Sequence, residues 1–259
     1  LKACREERPD VLMVCGKPFV SFYVGVAVRR MLGIPLVLDL RDPWAILSYH
    51  GPVSRAVTHA QEQRVFGAAD AVIFNTRSAY KKYCEAYGLP FADRFHCAPN
   101  AMSRWPQGSS YNGPAPDREP LVLIHGGNMY KRSFDPLLLA IEQFANEEKL
   151  TPDQLRMVQI GRVELDTFDP ALVERLGKHA EFVPFLPFEQ YQAVAKTGTV
   201  RLVLLGPRNY TRIPAKFYEA LASGTAILFL GPRDHEIVDV LRSTGTGASS
   251  DAGDADDIV

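Results

Sequence analysis

Four cysteines in 259 residues is a sparse supply. Cys4, Cys15, Cys84 and Cys97 also lack the close spacing of a zinc site or a redox pair. They lie in or beside apolar segments, which favours reduced, half-buried thiols and a cytosolic redox environment. No apolar run approaches the roughly 20 residues that span a bilayer, and no basic-then-apolar signal segment opens the chain. The expected location is cytoplasmic, with a peripheral contact at the inner membrane face left open. An excess of either charge is missing too. At −1 net the chain lacks the basic balance of a nucleic-acid binder, whose pI lies above about 9, so an anionic ligand must be caught by local groups. There is no repeat of solenoid period, and the only biased stretch is the acidic Ser249 to Asp257. A dinucleotide-type G-x-G-x-x-G turn followed by an acidic residue is absent, which argues against a dehydrogenase. No His, Cys, Asp and Glu cluster has metal spacing, so neither a metal nor a cofactor is expected.

What is present is the composition of a globular protein, 46% hydrophobic and 23% charged. Short runs rich in Val, Ile and Leu recur between longer amphipathic segments, the pattern of parallel strands joined by helices. Strands are expected at Val11 to Val14, Leu36 to Leu40 and Ala71 to Phe74, with helices at Val20 to Met31 and Val57 to Phe66. Pro106 to Pro120 then breaks the alternation with Pro, Gly, Ser and Asn and no run able to bury a face. After it come strands at Leu121 to Ile124, Met157 to Ile160, Val200 to Leu205 and Thr225 to Leu230, with helices at Phe134 to Ala145, Phe188 to Ala195 and Pro214 to Ala222. The reading is two Rossmann-like α/β domains, 1–108 and 121–259, joined by a linker over 109–120. Both domains are expected to be incomplete in this chain.

Two segments carry candidate chemistry. The run His125-Gly126-Gly127-Asn128-Met129-Tyr130-Lys131-Arg132 follows a strand and precedes a helix, where glycines let an anion approach the backbone and helix-end amides stabilise it. Lys131 and Arg132 would supply positive charge for a diphosphate; the alternative is a plain turn with two solvated bases. In the second, Pro214 suits a helix start, and Lys216 and Glu219 share one face near it. The carboxylate can accept both hydroxyls of a ribose while the lysine reaches a phosphate, or the two form an ordinary exposed ion pair. Arg41 and Asp42 follow the second strand. They either meet an acceptor hydroxyl and an anionic group, or Asp42 caps the segment after Pro43 and pairs with Arg41. Phe182, Phe185 and Phe188 surround Pro184 and Pro187 in an expected loop, as core packing or as ligand contacts.

The run IPAKFYEALASGTAILFLGPRDHEI resembles the donor-binding segment of the GT-B glycosyltransferases, specifically the large retaining family 4. LVLDLRDPW at 36–44, AADAVIFNT at 68–76 and Pro99-Asn100-Ala101 are similar to that family's first-domain segments, in the same order. The resemblance implies two Rossmann-like domains with parallel sheets and an interdomain cleft, the acceptor side in 1–108 and the nucleotide-sugar side in 121–259. It implies transfer of a sugar from a nucleotide diphosphate sugar to an acceptor hydroxyl, with retention and no metal. The acceptor would be a carbohydrate, a lipid-linked sugar or a small molecule. Gly126 and Gly127 match the family's glycine turn, and Lys131 or Arg132 one member of its basic pair. Arg162 is a further candidate, Lys216 marks a variant of the motif, and Glu219 matches the ribose-binding glutamate. By the same resemblance Phe185 passes beside the base and Arg41 and Asp42 line the cleft. Thr211 departs from the pattern, since many members carry a glutamate there for the sugar, and Arg41 stands where many have histidine. A nucleotide-sugar 2-epimerase of the same fold and a non-catalytic sugar-binding or partner-binding module are the rival expectations.

Overall fold

The computed structural model describes residues 2–46, 52–101, 120–129, 135–163, 169–206 and 211–258. The chain divides into two compact units. The first is Leu1–Asn100 with Thr211–Ile213, and the second Ala101–Tyr210 with Pro214–Val259. The expected linker over 109–120 lies outside the described residues except for Pro120.

In the first unit, helix α1 (Lys2–Glu7) precedes β1 (Leu12–Gly16), α2 (Val20–Leu32), β2 (Leu36–Leu40), α3 (Pro52–Gly67) and β3 (Ala71–Phe74). α4 (Arg77–Tyr87), α5 (Leu89–Ala92) and β4 (Phe95–Cys97) complete it. The strands stand in the order β1-β2-β3-β4, all parallel. Parallel strands carry helices on their faces and are therefore mostly apolar, as the buried Leu36, Leu38 and Leu40 of β2 show, with Asp39 the one polar residue of that strand. Local signals set the helix ends. Gly33 adopts φ +70° and donates its N–H to the Arg29 carbonyl to stop α2, and the Thr76 side chain accepts from Ala79 N to start α4. The core joins Phe22, Phe66, Phe74, Tyr83 and Phe95 to the β2 leucines. Among the described residues strand β1 is an edge, and beside it Met13, Val20, Val24 and Met31 are exposed.

The second unit begins with β5 (Leu121–Gly126), α6 (Asp135–Glu147), β6 (Leu155–Ile160), α7 (Pro170–Leu176), β7 (Ala180–Val183) and α8 (Phe188–Ala195). It continues through β8 (Val200–Leu204), α9 (Ala215–Ser223), β9 (Ala226–Leu230), α10 (Glu236–Thr244), β10 (Gly247–Ser250) and α11 (Ala255–Ile258). The order β10-β9-β8-β5-β6-β7 is parallel throughout. Alternate residues of β5 feed two cores. Leu123 packs with Met157, Leu202 and the α6 side chains on one face, and Val122 and Ile124 pack with Val158, Ile160 and Ala195 on the other.

Three expectations need correcting. Phe182 belongs to β7 and Phe188 opens α8, so the loop between them is Pro184 to Pro187. Cys15 is exposed, not half-buried, whereas Cys4, Cys84 and Cys97 are half-buried. Short elements with mixed composition, β4, β7 and β10, were not foreseen.

Candidate functional site

The second sheet reverses direction at β5: the chain runs outward through β6 and β7, then returns to place β8 on the opposite side of β5. At such a point the loops leaving the carboxyl ends of neighbouring strands diverge and leave a crevice for a ligand. The Gly126–Gly127 turn stands there. A Cβ on Gly126 would lie 2.4 Å from the Tyr191 ring. Gly127 and Gly161 adopt φ +136° and +132°, and a Cβ on Gly161 would sit 2.4 Å from the Gly127 carbonyl oxygen. Glycine is thus a steric requirement of this turn as well as a conformational one.

Above the turn stands Lys216, from the first turn of α9, which Pro214 precedes and the left-handed Gly224 ends. Its Nζ is 2.7 Å from His125 Nε2 and 3.4 Å from the Gly126 carbonyl. Burial pulls the ammonium down to about 8, and the Glu219 carboxylate opposes that fall. His125 is fully buried. Burial first, and then the Lys216 charge, drive its pKa down to about 3. Glu219 is half-buried, three residues along α9. Among the described residues no ion pair joins it to Lys216, so the expected exposed pair is not formed; Lys216 turns to His125 instead. Arg201 of β8 is 7% exposed, and among the described residues its Nε and Nη1 have no hydrogen-bond partner. Burial lowers its pKa, and the charges of Tyr191 and Glu219 resist that fall.

The remaining donor-side candidates are scattered. Lys131 and Arg132 lie outside the described residues. The side chain of Arg162 is exposed, and its carbonyl accepts from Met129 N at 2.9 Å, which ties the loop after β5 to the loop after β6. Phe185 is 81% exposed and therefore takes no part in the core.

In the first unit, Arg41 and Asp42 follow the carboxyl end of β2. Arg41 Nε donates to Asp39 Oδ2 at 2.8 Å, which raises the arginine pKa, and the Cys15 thiol donates to the same oxygen at 3.1 Å. Asp42 is flanked by Lys17 Nζ at 3.6 Å and Arg212 Nε at 2.9 Å. The expected alternative, an Arg41–Asp42 pair, is replaced by these contacts. Thr211, where the resemblance places a glutamate, accepts from Thr76 Oγ1 at 2.8 Å through its carbonyl; its own Oγ1 is buried and has no partner among the described residues. The backbone of the segment 41–45 is held by three side chains. Asn75 Nδ2 donates to the Arg41 carbonyl, Tyr83 Oη accepts from Trp44 N, and Glu62 Oε1 accepts from Ala45 N. Glu62 is fully buried and also accepts from Tyr83 and Tyr87, yet burial outweighs these donors and lifts it to about 7.

Residues 1–101 match the family described as "Glycosyl transferase 4-like domain". No curated protein sequence matches the chain. Among solved structures, Anabaena Alr3699/HepE in complex with UDP and glucose superposes with a TM-score of 0.67 at 14% identity, over 99% of this chain and 68% of that one. Sucrose-phosphate synthase from Thermosynechococcus elongatus gives 0.68 at 18% identity, over 99% and 64%. The fold is GT-B. A Listeria monocytogenes protein assigned as a UDP-N-acetylglucosamine 2-epimerase also superposes, with a TM-score of 0.55 at 15% identity over 99% and 66%, so the GT-B architecture alone does not fix the reaction. This chain spans about two thirds of the length of those three.

Within the GT-B frame, the sequence gives no role to His125, though it opens the run His125 to Arg132, nor to Gln159, Tyr191, Arg201 and Glu62. For three of them a signal was available. His125, Gln159 and Arg201 are polar residues inside the mostly apolar strands LVLIHG, LRMVQI and VRLVL, and a buried polar group there needs a partner or a role. Among the described residues no helix is long and apolar enough to cross a membrane.

Proposed function

We propose that the protein moves a hexose-type sugar from a nucleotide diphosphate sugar to an acceptor hydroxyl, with retention and without a metal ion. The observation that carries this is the pairing of a bare glycine turn with Lys216 and Glu219. The lysine brings a part-buried ammonium to the turn, and the half-buried carboxylate lies three residues farther along the same helix. Glu219 would accept two ribose hydroxyls while Lys216 and the backbone amides of the turn meet the diphosphate. In transfer, the bond from the anomeric carbon to the diphosphate oxygen breaks, a bond to the acceptor oxygen forms, and the acceptor proton leaves to a base. Negative charge grows on the departing diphosphate, and preorganised cations there lower the barrier more than they tighten ground-state binding. Lys131, Arg132 and Arg162 are proposed to add to that charge, Phe185 to flank the base, and Arg41 and Asp42 to serve the acceptor. The match of residues 1–101 supports the reading, as does the UDP in the HepE structure. The acceptor is proposed to be a carbohydrate, a lipid-linked sugar or a small molecule, met in the cytoplasm or at the inner membrane face.

Calorimetric titration with a panel of nucleoside diphosphates tests the donor half. Glu219→Ala should weaken the best-bound nucleotide by roughly 1.5–3 kcal/mol, the range for hydrogen bonds to a charged group. An unchanged Kd in a folded variant would remove Glu219 from the site. Transfer that is abolished by a chelator and restored by Mg²⁺ or Mn²⁺ would refute metal independence. The 2-epimerase reading draws on the Listeria neighbour, and acceptor dependence separates the two: an epimerase turns over its nucleotide sugar with no acceptor present.

A further inference from the structure

We infer that His125 and Gln159 form a buried relay that positions the Lys216 ammonium at the Gly126–Gly127 turn, and that both are positioning residues for a diphosphate anion there. The inference deepens the donor-site reading and rests on it.

The relay follows from hydrogen-bond direction. His125 and Gln159 are register partners in β5 and β6, and both are fully buried. An imidazole and an amide in that position are costly unless every contact is matched. Gln159 lies 2.6 Å from the Gly127 carbonyl, which only accepts, so the atom facing it must be the amide Nε2. Its Oε1 then faces His125 Nδ1, so Nδ1 carries the proton. Nε2 of the same ring is left as an acceptor, and Lys216 Nζ stands 2.7 Å from it. The chain of donors therefore runs from Lys216 to His125 to Gln159 to the Gly127 carbonyl, with no choice of tautomer left open.

A single side chain set thus controls both halves of the turn. Gln159 holds the carbonyl of Gly127, and Gly161 leaves room for that carbonyl. His125 takes one of the three ammonium protons and aims the rest; the Gly126 carbonyl, at 3.4 Å, is a weak competitor for them. The position a Gly127 Cβ would fill is 3.3 Å from Nζ, so the missing side chain leaves the ammonium open to that side. Among the described residues the titratable groups coupled to Lys216 are the ring of His125 on β5 and the carboxylate of Glu219 on α9, which in turn acts on Arg201 of β8 and Tyr191 of α8. A cation so held, with burial already weakening its hold on the proton, gains from an anion and from the imidazole acceptor alike.

The test is binding of inorganic pyrophosphate to the whole chain between pH 6 and 9.5, for wild type, Lys216→Met, His125→Phe and Gln159→Leu. The wild-type to Lys216→Met affinity ratio, in which the ligand's own titration cancels, should be about tenfold or more near neutrality and fall as pH rises through about 8. His125→Phe and Gln159→Leu should each lose several-fold, and the alkaline limb should move to lower pH because the ammonium has lost its acceptor. A purely structural role would lower affinity without moving that limb. Imidazole nitrogen chemical shifts of the wild-type protein provide a test that no variant's folding can obscure. They should show a neutral ring protonated at Nδ1 down to pH 5. A ring protonated at Nε2, or a folded His125→Phe with wild-type affinity and limb, overturns the relay and leaves the donor reading standing if Glu219→Ala still weakens nucleotide binding. A wild-type protein that binds no pyrophosphate overturns both.

Discussion

Glu62 sets burial against hydrogen bonding within one carboxyl group, and the outcome can be measured. Three donors, Tyr83, Tyr87 and the Ala45 amide, favour its ionised form, while the absence of water favours the neutral one. Burial prevails, and the pKa rises from 4.5 to about 7. A carboxyl that binds its proton more tightly when folded contributes stability in full below its unfolded pKa and loses it as pH rises through the folded one. The window is therefore pH 4.5 to about 7. At about 1.4 kcal/mol per pKa unit, the full loss is about 3 kcal/mol. Glu62→Gln keeps an oxygen for Ala45 N and Tyr83 and cannot ionise. Its stability relative to wild type should climb by about 3 kcal/mol between pH 4 and pH 8, and other titrating groups cancel in the comparison. Urea denaturation of both chains at several pH values, followed by circular dichroism and tryptophan fluorescence, measures the difference. A difference that stays flat with pH, or one that moves in favour of wild type as pH rises, would show that the three donors outweigh burial and refute the reasoning.

Other perturbations test other parts of the two units. Gly161→Ala places a methyl group against the Gly127 carbonyl in a backbone region that side chains avoid, so it should cost about 1–3 kcal/mol in thermal denaturation and loosen pyrophosphate binding as well; a neutral substitution would mean that the turn adjusts freely. Arg201→Met removes a buried guanidinium with two nitrogens unmatched among the described residues and should raise the stability of the ligand-free protein by about 1 kcal/mol or more, whereas a fall would show that the guanidinium is well satisfied. The Arg29–Asp70 fork holds the Asp70 carboxyl at about 2, but both side chains are more than a third exposed. Its contribution, present above about pH 4 and lost as pH falls toward 2, should stay below about 1 kcal/mol in an Asp70→Asn comparison.

Strands dominated by Val, Leu, Ile and Phe can be read from sequence, as β2 (LVLDL, with Asp39 its one polar member) and β3 (AVIF) show. The helix over Phe188 to Ala195 was legible from its spacing for the same kind of reason. β4, with His96 at its centre, and β10, with two serines and a glycine, pair through backbone more than through side-chain burial, so their composition gave no sign of them. At the candidate site the glycines, Lys216 and Glu219 are neighbours in sequence or on one helix, so the sequence alone shows them as groups. Lys216 and His125 are 91 residues apart, and only the sheet order that places α9 over the end of β5 brings them together. Glu62 is hidden differently. On the helical pattern of α3 it reads as one more solvent-facing acid, and its burial depends on tyrosines supplied by α4.

The edge position of β1 carries a practical consequence. Unpaired among the described residues, its outer row of amides and carbonyls is a template for another strand, and the exposed Met13, Val20, Val24 and Met31 lie beside that row. Native edges are usually shielded by charge, proline or a bulge, and within Leu12–Gly16 the residues are Leu, Met, Val, Cys and Gly. The chain on its own should therefore self-associate in a concentration-dependent way. A lysine at Met13 should suppress that association without disturbing the buried β2 face.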